Sequence, residues 1–374
     1  MSETHEHIVV EAWWAKALRI AAVPLVSVLL AMAIGSVIIW LSGFDPIAAF
    51  RALFQGALGG QRQISETIIR ATPLIFTGLA VGFGFRASLF NIGAEGQFIM
   101  GSLGAAWLGL LLAGLPTPVA IPLILIGAAL FGAAWAFIPA LLKAKVGAHE
   151  VITTMMFSWI GLYLSSWIVS GPLKEPGSIP QTTMLSSNVW LPSFDRLIPG
   201  LIPVRAHLGF VVAVLLAIVV LLVLRRTTLG YSVRAVGLNP GAAENAGISI
   251  ARTTVYALCI SGALAGLAGA SEVLGTNHRM FDQVSAGSGF GFTGIAVALL
   301  AKNHPIGVIF AALLFGILQA GAGTMQLETG ISVLIVQIIQ GLVIFFVAAE
   351  TIVTWFVKRR QKLKLEREEA VDAG

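Results

Sequence analysis

The chain has 374 residues, of which 57% are hydrophobic and only 11% charged, and its mean hydropathy is +0.90. This composition excludes a soluble globular protein. The formal net charge of +5 comes from basic residues that flank membrane segments and from the basic tail at 358–367, so it implies no nucleic-acid partner. The composition predicts an integral membrane protein.

Several runs are long and apolar enough to cross the hydrocarbon core, which takes about 20 residues of helix. The clearest uncharged runs are 20–41, 151–173, 208–224 and 331–349, and residues 96–142 leave room for two spans joined by a turn at 114–118. Less regular runs lie at 71–85, 253–271, 283–301 and 305–327. The runs are continuously apolar, which excludes alternating barrel strands. We predict an all-α polytopic protein of about ten membrane helices, within a range of roughly 8–11.

Lys and Arg are concentrated in every second connection between these segments. Basic residues that flank membrane helices are retained in the cytoplasm, so these connections are predicted to be cytoplasmic. Lys16 and Arg19 before the first segment suit an uncleaved anchor with a cytoplasmic N-terminus. The basic tail places the C-terminus on the same side. We predict one transmembrane domain over 1–374, with a cytoplasmic loop at about 225–252 and a long external loop at about 171–206.

Polar residues at the start of a membrane run mark the segment FNIGAEGQ, residues 90–97. It places Asn91, Glu95 and Gln97 within eight residues, together with two glycines. Polar groups at membrane depth are costly unless partners or a water-filled path satisfy them. These three side chains either lie beside a transport route or broken helix, or cap a helix and bind exposed backbone groups. Both alternatives remain open from the sequence.

Other polar residues give weaker signals. A set of four surrounds the outer end of the seventh segment and is a candidate lining for an external mouth: Glu272, Asn277, His278 and Asp282. The single cysteine, Cys259, lies in an apolar run, which favours packing and excludes an intrachain disulfide. His5 and His7 lack further nearby ligands, so we predict no metal site.

Small residues recur at spacings that allow close helix packing. The patterns begin at Gly78, Gly101 and Gly262, and glycine at such spacing in a membrane helix usually means tight contact. In addition, residues 76–81, FTGLAV, are echoed by residues 292–297, FTGIAV. The echo is either an internal duplication of the kind found in transporters or chance similarity in a chain rich in small residues.

The cytoplasmic loop contains a short helix signal. Asn239 suits the N-cap, Pro240 the first helical position and Gly247 the exit, with small residues between them. Such a stub can seat in a groove of a partner, and the nearby Arg225, Arg226 and Arg234 can pair with acidic residues there. The alternative is an ordinary cytoplasmic turn.

Five segments together carry a resemblance: FNIGAEGQFIMGSLGAAWLG, HEVITTMM, LGYSVRAVGLNPGAAENAGI, SGALAGLAGA and GFTGIAVALLAKNHPIG. In this order, over about 67–346, they resemble permease subunits of bacterial ABC importers. More narrowly, they are similar to the simple-sugar and nucleoside branch of the branched-chain amino acid/ribose permease family. The length and the long outer loop look most like the larger permease of general nucleoside importers.

The resemblance implies a transport subunit in the bacterial inner membrane that has no catalytic residues. It implies a second related permease, two cytoplasmic ATPase subunits that use ATP and Mg²⁺, and an extracytoplasmic substrate-binding lipoprotein. No lysine here follows a glycine, so the chain has no G-x-x-x-x-G-K phosphate loop. The coupling residues would be Arg234, Asn239, Pro240, Gly241, Ala242, Ala243, Glu244 and Gly247. The candidates for the translocation path are Phe90, Asn91, Glu95, Gln97 and Trp159.

Several alternatives remain at the level of function. Family likeness favours nucleosides, whose base and ribose suit aromatic and amide side chains, but the same residues suit a simple sugar such as ribose, and a branched-chain amino acid is a third choice. An ion-coupled secondary transporter would need a paired carboxylate near the bilayer midplane, for which Glu95 is the candidate. A membrane enzyme lacks support, because no nucleophile with a base or metal cluster stands out in the spans.

Overall fold

The computed structural model describes residues 13–198, 202–282, 289–347 and 349, with side chains from residue 25 onward. Its contacts divide the chain into two units, Met1–Pro46 with Leu334–Gly374, and Ile47–Val333. The first unit contains the helix α1, Trp13–Leu41, and the apolar helix Leu334–Val347, labelled α14. A single permease domain over the whole chain stays a prediction.

The second unit is built from helices. They are α2 Pro46–Leu58, α3 Gln61–Arg86, α4 Ala94–Leu111, α5 Thr117–Val146, α6 Glu150–Ser170, α7 Phe194–Leu197, α8 Gly209–Arg226, α9 Thr228–Leu238, α10 Pro240–Asn245, α11 Ile250–Glu272 with a π-helical turn Val273–Asn277, α12 Phe290–Leu300 and α13 Pro305–Thr329. Among the described residues, extended pairing is limited to isolated bridges. The all-α class is confirmed.

Six described helices are long and apolar enough to cross a membrane: α3, α5, α6, α8, α11 with its π-helical turn, and α13. The described part of α1, α12 and α14 are shorter apolar helices. The long helices differ in burial. In the most apolar stretch of each helix, 83% of α3 and 72% of α11 are buried, against 28% of α5 and 22% of α6. The chain is therefore an integral membrane protein whose second unit has α3 and α11 at its centre.

Glycine allows α11 to pack against α4 and α5 with almost no side chain between the backbones. A Cβ on Gly266 would overlap the Ala128 carbonyl of α5, and one on Gly101 of α4 would overlap the Gly266 backbone. A Cβ on Gly132 would lie 2.9 Å from the Gly266 Cα. Close approach of this kind maximises van der Waals contact between helices in a solvent that provides no hydrophobic driving force. The prediction that the Gly101 and Gly262 patterns serve packing is confirmed.

The two copies of the FTG motif lie on α3 and α12 and contact each other. A Cβ on Gly294 would lie 2.5 Å from the Thr77 hydroxyl, and one on Gly78 would lie 2.8 Å from Val297. Further along, the Arg86 Nε donates to the Asn303 carbonyl at 3.0 Å. Residue numbers rise together along both helices, so the copies run parallel. The two copies therefore pack side by side in the same direction, while duplication itself stays a hypothesis.

The described parts of the long connection after α6, residues 171–198 and 202–207, which we call the cap, are held to one end of the bundle. Asn188 donates to a backbone carbonyl in the turn between α4 and α5 at 2.6 Å, and the Leu191 N–H donates to the Leu274 carbonyl at 2.9 Å. The Ser65 hydroxyl of α3 accepts two backbone N–H groups of the cap, at 3.1 and 2.8 Å. The cap thus connects the ends of three elements and is not a loose loop.

The four residues expected to line a mouth lie around the end of α11, beside the cap. Asn277 donates to the Glu272 carboxylate at 3.0 Å, and the backbone N–H of Asp282 donates to the cap at 3.0 Å. The His278 ring stacks on Trp190 of the cap with centroids 3.8 Å apart. These contacts cover the end of α11 in this conformation.

His207 is the last residue of the cap, and its side chain is buried between Gly209 and Gly275. Its ring is 2% exposed and lies against Gly275, and its Nδ1 accepts the Gly209 N–H at 3.1 Å. Burial, followed by the electrostatic effects of His278 and Arg205, lowers the pKa of His207 from 6.5 to about 4. The imidazole is therefore neutral at pH 7, as its contacts require.

Substitution of Gly266 by Ala should destabilise the protein, whereas the same change at Gly323 should not. The Cβ at Gly266 has no space, and overpacking costs about 1–3 kcal/mol. Gly323 of α13 faces open space, so alanine there should be neutral or stabilise by up to about 1 kcal/mol through helix propensity. Thermal unfolding of the purified variants in detergent measures both effects. Equal melting temperatures would contradict the close-packing account.

Acidification should destabilise the cap through His207. Between pH 6.5 and about 4 the unfolded chain binds more protons at this residue than the folded chain does, so stability falls as pH falls, by about 3 kcal/mol in all. Unfolding measured against pH should show this loss in the wild type and a smaller loss in His207→Gln. Parallel pH profiles for the two proteins would show that His207 does not titrate in this way.

Candidate functional site

The connection from α3 to α4, residues 87–93, turns back into the bundle. Ser261 of α11 donates to the Ala80 carbonyl of α3 at 2.6 Å, and the Asn91 amide donates to the Ser261 hydroxyl at 2.7 Å. Ala80 lies six residues before Arg86, which is about 9 Å along a helix. Asn91 therefore lies well inside the bundle, and α4 begins there instead of at the end of α3.

Two amides hold this connection in place. Asn91 Nδ2 donates to Gln97 Oε1 at 2.8 Å, and Gln97 Nε2 donates back to Asn91 Oδ1 at 3.1 Å. Both side chains are only 1% exposed. Reciprocal bonding between buried amides stabilises a non-helical segment, because each polar group finds a partner away from water. In this conformation the two amide side chains hold the non-helical connection 87–93 in place.

Glu95 connects the start of α4 to the start of α12. Its carboxylate, 7% exposed, accepts the Gly289 N–H at 3.0 Å and the Gly291 N–H at 2.6 Å. A carboxylate at a helix N-terminus satisfies free N–H groups and complements the positive end of the helix dipole. The structure thus places the Glu95 side chain on the N-terminus of another helix, 194 residues further along the chain.

Helix α12 is too short to cross a bilayer on its own. It has 11 residues, about 16 Å, against a hydrocarbon core of about 30 Å. Its C-terminal end lies beside the end of α3 and its N-terminal end beside Glu95, so it too begins inside the bundle. Half-helices whose N-termini meet inside a membrane protein are a recurrent feature of transporter binding sites. We call Asn91, Glu95, Gln97, Ser261 and the first turn of α12 the junction.

Threonine and serine of α6 border the junction and were not singled out from the sequence. The Ser158 hydroxyl accepts the Gly96 N–H at 3.2 Å. The Thr154 side chain is fully buried beside Gly93, and its hydroxyl has no hydrogen-bond partner among the described residues. Buried hydroxyls without a partner are uncommon and call for an explanation such as water or a ligand. Thr154 and Ser261 each lie in a segment that carries the resemblance, but position alone did not distinguish them.

The structure does not bring both aromatic candidates to the junction. Phe90 lies next to Asn91 in the connection 87–93, half-buried and packed edge-on against Phe85 with ring centroids 5.0 Å apart. Trp159 is 50% exposed on α6, where its ring stacks on Tyr163 at 6.3 Å. A role of Trp159 in the translocation path stays a prediction, and its surroundings place it on an outer face of this chain.

The predicted short helix in the loop 225–252 is α10. The Asn239 side chain accepts the Ala242 N–H at 3.1 Å, and Pro240 takes the first position. At the other end Gly247 has φ +80°, which glycine adopts without strain, and the Ile248 N–H bonds to the Ala243 carbonyl at 3.0 Å. The capping interpretation of the sequence is confirmed, and the helix is defined by its own residues.

The two faces of α10 differ in exposure. Gly241, Ala242 and Glu244 are exposed, while Ala243 is only 3% exposed. Beside α10 an open cleft of about 530 Å³ has Lys143 of α5 and Glu244 among its lining residues. A partner would therefore meet Gly241, Ala242 and Glu244 and not Ala243.

Helix α9 joins α10 to the junction and was not anticipated as a separate element. Thr227 caps it by accepting the Gly230 N–H at 3.1 Å. At its other end Gly237 lies directly against the Arg86 carbonyl, and the Ser88 hydroxyl donates to the Gly237 carbonyl at 2.6 Å. Ser88 belongs to the connection 87–93, so α10 is separated from Asn91 by only a few packed residues.

In the parts of the chain that the structure describes, no group of three or more His, Cys, Asp or Glu residues could hold a metal ion. The polar groups of the junction are amides, hydroxyls and one carboxylate. Such groups can hydrogen-bond a neutral polar solute, and their arrangement provides no activated nucleophile.

Replacement of Glu95 by Gln should destabilise the junction, and replacement by Ala should destabilise it more. Ala leaves two buried N–H groups without acceptors, each at a cost of about 1–3 kcal/mol. The Gln side chain keeps one oxygen that can accept an N–H. Its NH2 group faces the other N–H and cannot bond to it, because both are donors. Thermal unfolding and transport should both decline in that order, while Glu328→Ala, at an exposed position of α13, should change stability by less than about 0.5 kcal/mol. Equal stability of Glu95→Ala and Glu328→Ala would contradict the assigned contacts.

Comparison with known proteins places the chain in a family. The family described as "Branched-chain amino acid transport system / permease component" matches residues 63–348. The guanosine ABC transporter permease protein NupP of Bacillus subtilis is 39% identical over 91% of this chain and 96% of its own length. The nucleoside ABC transporter permease protein NupB of Lactococcus lactis is 36% identical over 92% and 95%.

The glucose ABC transporter permease protein TsgB13 of Haloferax volcanii is 37% identical over 86% of each chain. No solved structure matches the chain. The family match covers most of the chain, and the three relatives are similar to it over nearly their whole length. The chain therefore belongs to this family of ABC transporter permeases, described as the permease component of branched-chain amino acid transport systems.

Proposed function

We propose that this chain is the permease subunit of an ATP-driven importer of nucleosides in a bacterial inner membrane. The observation that carries the proposal is the packing of α9, which leads directly into the exposed helix α10, through Gly237 onto the connection that leads to the junction. A docking helix attached to an interior site is what an ATP-coupled permease needs. The similarity to NupP and NupB supports the nucleoside class.

The proposal has about ten membrane helices with both termini in the cytoplasm, and one of them, α12, extends only from the junction to the cytoplasmic end. Eight belong to the second unit, namely α3, α4, α5, α6, α8, α11, α12 and α13, and α1 and α14 complete the set. The cap contacts the ends of α3, α4 and α11 that this topology puts outside. Helix α9 contacts the end of α3 that it puts inside. Both sets of contacts agree with the alternation of basic residues.

The transport cycle would be alternating access. ATP closes the ATPase pair, α10 moves with the subunit to which it is docked, and α9 transmits that movement to residues 87–93. The junction can respond because it consists of hydrogen bonds between separate helices, which can re-form in a second arrangement. This chain performs no covalent chemistry in the cycle and binds no ATP.

The path is proposed to pass the junction. Thr154, with its buried hydroxyl, and the amides Asn91 and Gln97 offer donors and acceptors to the hydroxyls of a ribose. Phe90, next to Asn91, would offer a ring face to a base. Simple sugars are the second candidate, because the glucose permease TsgB13 is nearly as similar to this chain as the nucleoside permeases are.

An ion-coupled secondary transporter is less well supported than an ATP-driven importer. Its candidate carboxylate, Glu95, is engaged by the N–H groups of Gly289 and Gly291. That engagement gives Glu95 a structural task and does not require a role in ion binding. The remaining proposed partners are a second related permease and an extracytoplasmic substrate-binding lipoprotein, which would approach the membrane on the cap side.

Uptake by vesicles that contain the complete transport system tests the substrate class. We expect labelled adenosine to accumulate only when ATP is supplied, and ribose and glucose to accumulate much more slowly. Accumulation of a sugar alone would move the assignment to the sugar branch. Uptake by this chain alone, driven by an ion gradient without ATP, would refute the ATP-driven importer.

Arginine at exposed positions of α10 should abolish ATPase attachment without loss of membrane insertion. Gly241→Arg and Ala242→Arg place a large cation on the face that a partner would meet, and a Cβ at Gly241 has ordinary space, with Asn239 Oδ1 at 3.6 Å. Ala243→Arg is unsuitable because Ala243 is buried. Ser187→Arg in the exposed cap is the matched control. Normal ATPase co-purification with both α10 variants would refute the docking assignment.

A further inference from the structure

Four basic side chains from four elements converge at the α10 end of the bundle. They are Arg86 at the end of α3, Arg225 at the end of α8, Arg234 of α9 and His304 before α13, and we call them the inner basic cluster. Arg225 Nη2 lies 3.4 Å from His304 Nε2, and Arg86 is within electrostatic range of Arg234 and Arg225. Clustering of like charges costs free energy unless an anion offsets it.

The contact between Arg225 and His304 joins two hydrogen-bond donors. In the tautomer that lets His304 Nδ1 accept the Gly307 N–H at 3.5 Å, as the N-cap of α13, the proton of the neutral ring is on Nε2. The guanidinium of Arg225 has donors only. Two donors 3.4 Å apart do not bond to each other, but both can point at one shared acceptor.

Among the described residues, the ion pairs Lys143–Glu150, Arg205–Glu66 and Arg279–Glu175 all lie outside the cluster, and the charges that act on Arg86 are those of Arg234 and Arg225. Arg86 is anchored by its bond to the Asn303 carbonyl at 3.0 Å, and Arg234 Nε donates to the Gly230 carbonyl at 3.3 Å. Both guanidiniums keep further N–H donors for an external group.

Burial, followed by the charges of Arg225 and Arg86, lowers the pKa of His304. The ring is therefore neutral at pH 7 and adds a donor without adding a fourth charge. A pair or triad of guanidiniums with one neutral imidazole N–H matches a carboxylate, which accepts several donors at once. The cluster is exposed at Arg225 and Arg234 and half-buried at Arg86 and His304, so an anion can reach it from the aqueous side.

We propose that the inner basic cluster receives an acidic side chain of the ATPase subunit, as a second attachment point beside α10. This inference rests on the proposed function. The cluster belongs to the same surface as α10, because α9 carries Arg234 and runs directly into Asn239, the N-cap of α10. Arg86 ends the most buried long helix and not a helix at the rim, which favours a soluble partner over a lipid headgroup.

A second attachment would have a distinct mechanical effect. Helix α10 reaches the interior through α9, whereas a carboxylate at the cluster would act on α3 and on the turn between α12 and α13. Arg86 and His304 lie at those two points, and Arg86 is already bonded to Asn303. The ATPase would therefore act on both helices that begin at the junction. It would act on α4 by way of α9, and on α12 by way of the inner basic cluster.

Titration of the ATPase subunit of the same transport system onto the permease in nanodiscs tests the proposal. The variants are Arg225→Gln and Arg234→Gln, with Arg225→Lys to check charge alone and Lys145→Gln, an exposed residue at the end of α5, as the control. We expect about tenfold weaker ATPase binding for each Gln variant, because a charge-assisted hydrogen bond is lost. Binding by Lys145→Gln should equal that of the wild type, and Arg225→Lys should lie between.

Salt and lipid distinguish the outcomes. Added salt should weaken wild-type binding more than binding by the double variant Arg225→Gln/Arg234→Gln, equally in zwitterionic and anionic nanodiscs. Binding that is unchanged in all variants would overturn the inference alone. A defect that appears only in anionic nanodiscs would assign the cluster to lipid phosphate and also overturn it. Failure of the wild-type permease to bind the ATPase in any lipid would instead refute the proposed function.

Discussion

A backbone that leaves the helical path inside a membrane must find all its hydrogen-bond partners within the protein. Residues 87–93 and the start of α12 are under this constraint, and much of the surrounding structure answers it. Ser261 bonds Asn91, Gln97 returns a bond to Asn91, and Glu95 accepts two N–H groups of the incoming α12 chain. The junction exists because four polar side chains and two backbone N–H groups from distant segments meet at one point.

Such a meeting requires helices to approach more closely than side chains normally allow. Gly266 and Gly132 bring α11 and α5 into backbone contact, and Gly291 brings α12 against the backbone at Glu95. Each glycine costs about 1 kcal/mol of helix propensity relative to alanine. Close packing and hydrogen bonds that are short enough to form offset this cost. The hydrogen bonds of the junction therefore depend on the close helix approach that the glycines allow, and the cost of the glycines is offset by those bonds and contacts.

Local rules sufficed for the features that depend on neighbouring residues. Asn239, Pro240 and Gly247 define α10 through backbone geometry within nine residues of sequence, and the glycine spacings of α11 indicated close packing. The sequence also marked Glu95 as unusual, but it could not reveal a partner 194 residues away. The burial of Ala243 and the attachment of the cap depend on tertiary contacts. Propensity and hydropathy contain no term for such contacts, so the structure was needed.

The separation of the junction's partners also constrains biogenesis. When α3 and α4 leave the translocon, Asn91 lacks Ser261, 170 residues away, and Glu95 lacks Gly289, 194 residues away. At about 5–20 residues per second, the ribosome needs on the order of 10–40 s to supply them. Throughout that interval the Glu95 carboxylate lacks the N–H groups of α12, and the Asn91 amide lacks the Ser261 hydroxyl. The early helices must therefore be retained beside the translocon or shielded by water until α12 arrives, and a fragment that ends before α11 has no stable way to bury them.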